Sequence, residues 1–180
     1  MTQTSRTKSY RRVVTGHAGG KSVIQSDERL DAYGFKTVPG YEHTLIWANI
    51  DIPDLSQEQK QAGYPRTIIP RPGGTTMHFV TYPPDFSDPS LDHHAVAREY
   101  AERLPGLAET LERDAPGMHT TQTVDYAVVF EGEIWLEVDD GQTIHLKQGD
   151  VVVQNGTRHA WRNKGTNRAT MLFVLNGAKK

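Results

Sequence analysis

Between Asp125 and Asn163 short apolar runs alternate with glycine turns at Gly132, Gly141, Gly149 and Gly156. Runs this short cannot bury the face of a helix, and apolar residues at every second position suit strands with one covered face. Regular turns between them constrain the stretch to an antiparallel barrel or sandwich. The spacing predicts strands over 118–131, 133–138, 142–147, 150–154, 158–163 and 168–175. Asp139-Asp140-Gly141 and Gly149-Asp150 act as hairpin signals. The last run, Ala169 to Leu175, is nearly all apolar and reads as a strand covered on both faces.

Upstream, β-branched runs at 12–16 and 21–26 flank His17-Ala18-Gly19-Gly20 and predict a hairpin. Residues 43–50 predict another strand, and 51–66 an irregular connection with a helical turn at Ser56 to Gln59. In 75–82 the residues Thr76, His78, Val80 and Tyr82 share one face, Met77 and Phe79 the other. Asp88-Pro89-Ser90 opens a helical stretch through Arg103, and 107–113 reads as a second short helix; the expectation is a lid-like surface insertion without chemistry. The whole therefore reads as one all-β domain. Residues 1–114 form an N-terminal β extension with a helical insertion, and 115–180 form the core.

The net charge of −2 lacks the basic excess that binding to nucleic acid or an anionic membrane requires. With no cysteine, disulfides, thiol catalysis and thiolate metal sites are excluded. The N-terminus has no apolar core of a signal peptide, and no run reaches the length of a membrane span, so the expected location is cytoplasmic.

Two segments carry candidate chemistry. The first runs from His119 through Thr121 to Asp125, with Gly132 beyond it; the second contains Gly149, Gln154, Gly156, His159 and Asn163. Together they resemble the paired motifs of the cupins. The resemblance implies a β-barrel of the double-stranded β-helix (jelly-roll) type and a homodimer. It also implies metal ligands at His119, Asp125 and His159. Thr121 stands where the family has a second histidine, Asp125 where it has glutamate, and Gln154 where it has proline.

Two imidazoles and a carboxylate suit iron, manganese or zinc. A straight strand would hold His119 and Asp125 roughly 20 Å apart, so shared ligation requires a bend near Thr123. Without metal, the same residues form a buried polar network that satisfies its own hydrogen bonds.

Three functions follow. One is a metal-dependent enzyme (lyase, isomerase, decarboxylase or dioxygenase) on a compact small molecule held among Trp47, His78, Thr121, Val129 and Phe173. The second is a metal-free dehydratase, cyclase or epimerase in which His159 or His119 is the general base and Asp125 orients it. The third is a non-catalytic binding module. His43 and Trp47, four apart in one strand, are expected on one face at the pocket mouth. Tyr126 and Trp161 are expected outside the barrel, and His145, His93 and His94 at the surface.

Overall fold

The structure, a computed structural model, describes residues 7–56, 65–85 and 92–180. The expected helical turn at Ser56 to Gln59 and the Asp88-Pro89-Ser90 helix start lie largely or wholly outside those residues.

A long hairpin comes first, β1 (Ser9–Ala18) and β2 (Lys21–Asp31), turning at Gly19-Gly20 as the sequence indicates. Next come β3 (Tyr33–Gly34), β4 (Glu42–Asn49) and β5 (Thr75–Tyr82), then helix α1 (His93–Arg103) and a 3-10 turn at Ala108–Thr110; a second 3-10 turn follows at Asp139–Gly141. The C-terminal part supplies β6 (Thr123–Glu131), β7 (Glu133–Glu137), β8 (Thr143–Lys147), β9 (Val151–Asn155), β10 (Ala160–Arg162) and β11 (Ala169–Gly177). Pairing is antiparallel throughout. One sheet has the order β3-β4-β5-β11-β6-β9, and a smaller one the order β10-β7-β8. The two enclose a core that includes Ile68, Val80, Leu104, Val129, Ile134, Leu136, Leu146, Met171 and Phe173.

Two expectations change. The 107–113 helix contracts to the 3-10 turn at Ala108–Thr110, because Leu111 is already extended. Helix α1 itself begins at His93, with Asp92 capping it by accepting from the backbone N–H of His94 and Ala95. The strand expected over 118–131 is broken. His119 makes an isolated bridge with His159, the chain bends at Gln122, and regular pairing starts at Thr123. Gln122 is held at the bend from both sides: its carbonyl accepts from Ala178 N–H, and its side-chain amide donates to the Ala178 carbonyl.

Helix α1 packs against the segment from Tyr33 to Tyr41. Burial alone would raise the Glu99 carboxyl, yet hydrogen bonds from Thr37, the Lys36 backbone and Tyr33 outweigh it and pull it down to about 2. Tyr100 packs edge-on against Phe35 and beside Tyr41, and the helix ends at fully buried Leu104. The insertion is thus part of the wall.

The end of β11 passes against the Pro70-Arg71 turn so closely that a Cβ on Gly177 would stand 2.0 Å from the Arg71 carbonyl oxygen. Backbone cannot yield as a side chain does. Gly177→Ala is expected to cost about 2–3 kcal/mol in urea unfolding, with an unchanged m-value.

Candidate active site

The barrel interior holds a chamber of about 70 Å3 whose walls include His43, His78, His119, Thr121, Asp125, His159, Trp161 and Phe173. A larger vestibule of about 520 Å3 adjoins it and shares Tyr41, Tyr82, Leu107, His119 and Trp161 with it. Strand periodicity explains most of the lining. Asp125 faces Leu175, and Ala127, Phe173 and His78 lie level across β6, β11 and β5, all on the inner face.

The central pair is His119 and His159. Reciprocal backbone hydrogen bonds of 3.0 Å join the two residues, and their rings sit 4.3 Å apart between centroids. His119 Nδ1 lies 3.0 Å from the Gly117 carbonyl, and His159 Nδ1 lies 2.9 Å from that of Thr157. A carbonyl can only accept, so both Nδ1 atoms carry the proton and both Nε2 atoms keep a lone pair. Neither Nε2 has a hydrogen-bond partner among the described residues.

Gln154, in the position where proline was expected, is buried and donates to the carbonyl and hydroxyl of Thr157. It thereby fixes the carbonyl that orients His159. Burial lowers the pKa of both histidines; for His159 the neighbouring His119 adds to the effect and the value falls to about 4. Both rings are therefore neutral near pH 7.

Asp125 is buried beside them in the lining, and its Oδ1 has no hydrogen-bond partner. Burial raises its pKa to about 6 despite the Thr123 hydroxyl, which lowers it. Thr121 accepts from Thr123 at 2.8 Å. The expected polar network is thus only partly formed: the two threonines pair, the two histidines bind carbonyls, and Asp125 keeps one oxygen unmet.

His119, Asp125 and His159 do share the chamber. However, no three His, Asp, Glu or Cys side chains among the described residues converge as a group able to hold one metal ion. As placed, the chain offers two imidazole nitrogens to a metal, not the three-donor face.

Of the expected substrate residues, His78, Thr121 and Phe173 line the chamber. Val129 points inward but is buried in the core, away from that lining. Trp47 is not there either. A bulge at Ile46 shifts the phase of β4, so that Trp47 pairs with outward-facing Met77 and packs under Arg12 of the hairpin. His43 precedes the bulge and stays inside. Trp161 also departs from expectation: it lies two residues beyond His159, hence on the same face, and meets Phe173 edge-on at 5.5 Å. That spacing was readable in the sequence. Tyr126 is half exposed outside the barrel, as expected, and His145 sits at the surface against Glu133 and Trp135. The vestibule residues Tyr41, Tyr82 and Leu107 carried no motif and were missed.

The fold is a two-sheet antiparallel barrel around a mostly apolar chamber into which histidines and Asp125 project. A Cupin domain model matches residues 110–175. A phomopsin biosynthesis cluster protein C' from Diaporthe leptostromiformis is 39% identical over 142 residues, covering 73% of this chain and 71% of that protein. The chain belongs to the cupin superfamily. Oryzines biosynthesis cluster protein J from Aspergillus oryzae is 43% identical over 103 residues, 57% of this chain; the match spans about half of that protein, 51%. Cupin-domain-containing oxidoreductase virC from Hypocrea virens is 40% identical over 65 residues, 34% of each chain. No described helix is long and apolar enough to cross a membrane.

The raised Asp125 carries a stability signature. Its stabilising contribution is fully present below the unfolded carboxyl value and is lost as pH rises through about 6. Asp125→Asn removes that loss. The stability of the variant relative to the parent should improve by about 1 kcal/mol between pH 5 and pH 8 in urea unfolding. The lowered histidines act in the opposite sense: their contribution is present above about pH 6.5 and is lost as pH falls through about 4 for His43 and His159. They remain in both proteins and cancel in the comparison.

Proposed function

We propose that this chain is a proton-transfer enzyme that isomerises, dehydrates or cyclises a small oxygen-bearing organic molecule. The observation that carries this reading is the pair of neutral imidazoles with open Nε2 lone pairs in a mostly apolar chamber. An Nε2 lone pair there is a general base for a C–H or O–H acidified by a neighbouring carbonyl. Asp125, near pH 6 in its titration, supplies a carboxyl that can return a proton within the same chamber. His78, Thr121, Trp161 and Phe173 bind the substrate around it, and the aromatic vestibule admits it and excludes water. Two relatives are named for oryzine and phomopsin biosynthesis clusters, which supports an intermediate of biosynthetic chemistry as the substrate class.

The test is deuterium incorporation in D2O across a panel of enolisable keto and hydroxy compounds, read by mass spectrometry. The expected result is exchange that survives a strong chelator and falls by about 10²–10⁴ in His159→Ala. Exchange undiminished in that variant would contradict the assignment.

A metal-dependent reading is favoured by two observations: both Nδ1 atoms are tied back, as in histidines that ligate metals, and several relatives are named oxidoreductases. His119 and His159 would hold the ion, and it would supply Lewis-acid or redox chemistry. Activity lost to the chelator and restored by iron, manganese or zinc would establish it in place of the metal-free reading.

The assembly we propose is a homodimer. Tyr126 and Val153 are paired across β6 and β9, and with Phe130 and Val151 they form an exposed apolar strip on the outer sheet face. The hairpin exposes Val13, Val23 and Ile24, and two strands alone are marginally stable in water. A second copy supplies the matching apolar surface for both patches. Light scattering is expected to give twice the 20.1 kDa chain mass, and Tyr126→Glu with Val153→Lys to return it to the chain mass.

A further inference from the structure

The chamber contains a second imidazole pair, of which the reading above uses only His78, as part of the substrate wall. His43 Nε2 and His78 Nδ1 are 3.0 Å apart, joining β4 to β5 by a hydrogen bond. His43 is 5% exposed and His78 2%. His78 lines the chamber; its Nε2 makes no well-formed hydrogen bond among the described residues, although the Ile68 backbone lies near enough to the ring to raise its pKa against the effect of burial. His43 borders two spaces. One is the chamber; the other is a surface cavity of about 450 Å3 lined by Arg29, Asp31, Tyr33, Glu102 and Arg103 among others. The hydrogen-bonded pair thus adjoins both spaces.

A pair serving only to fill the core would meet all its polar atoms inside the protein. This one leaves His78 Nε2 without a well-formed hydrogen bond, and His43 lines the surface cavity as well as the chamber. We infer that His43 and His78 form a proton relay connecting the surface cavity to the chamber. The relay serves the proton-transfer reading of the same chamber, and its test does not require that chemistry.

The transfer balances without a charged resting state. At the start His43 carries its proton on Nε2 and donates it to His78 Nδ1, while His78 carries its own proton on Nε2. The N–H bond at His78 Nε2 breaks as a basic group in the chamber takes the proton. The His43 Nε2 proton then passes to His78 Nδ1. A water of the surface cavity delivers a proton to His43 Nδ1. One proton has entered from solvent and one has reached the chamber, and both rings end as the opposite neutral tautomers. Burial of both rings, with His43 further lowering His78, favours these neutral forms near pH 7.

The experiment uses the full chain with ¹⁵N-labelled histidine and measures exchange of the His78 ring N–H with water by NMR. His43→Phe keeps the ring volume and removes the relay nitrogens. The exchange is expected to slow by at least about tenfold, with the His119 and His159 signals unmoved. If the phenylalanine variant does not fold, His43→Gln serves: its amide can still donate to His78 but has no second ring nitrogen, and the same slowing is expected. An unchanged rate in a folded variant overturns the relay, since protons would then reach His78 through the vestibule. Slowed ring exchange without any substrate deuteration would leave the relay standing and remove the proposed catalysis; the reverse pattern would do the opposite.

Discussion

The site depends on the bend at Gln122. A straight continuation of β6 would carry His119 away from Asp125 along the sheet; the two hydrogen bonds between Gln122 and Ala178 turn the chain instead. His119 then forms its bridge with His159, and both rings enter the chamber that Asp125 lines. Gly177, one residue before Ala178, is packed against the Arg71 carbonyl, so the anchor for the bend is itself held by the closed end of the barrel. The bend that assembles the site is therefore anchored on the end of β11.

Desolvation sets the chemistry of what the bend brings together. Four histidines and an aspartate border one small space, and burial is the largest influence on all five. It keeps the imidazoles neutral and pushes the carboxyl up to about 6, so that it titrates just below neutral pH beside two neutral bases. The carbonyls of Gly117 and Thr157 select the tautomer of the central pair, and Gln154 steadies one of those carbonyls. Replacement of the family's proline by a hydrogen-bonding residue thus has a structural consequence at His159.

Much of this was legible in the sequence, because strand alternation and glycine turns are local signals. The strand over 75–82, the C-terminal hairpins and the inward faces of His78, Asp125 and Phe173 all follow from period two. Phase errors account for the two misplaced tryptophans. Trp47 was lost to a bulge at Ile46, which no residue type announces, whereas Trp161 was misplaced although it stands two residues from His159. The His43–His78 contact needed the β4–β5 register, which is a long-range fact. The vestibule tyrosines come from loops and strand ends whose convergence depends on where α1 packs.

The central claim is that His119 and His159 are neutral bases with the proton on Nδ1 and the lone pair on Nε2. The most direct measurement is the ¹⁵N spectrum of the histidine rings, assigned by His119→Gln and His159→Gln and recorded near pH 7. The account predicts two Nδ1–H tautomers, with His159 remaining neutral until the pH falls towards about 4. An imidazolium at pH 7, or a proton on Nε2 of either ring, would contradict it.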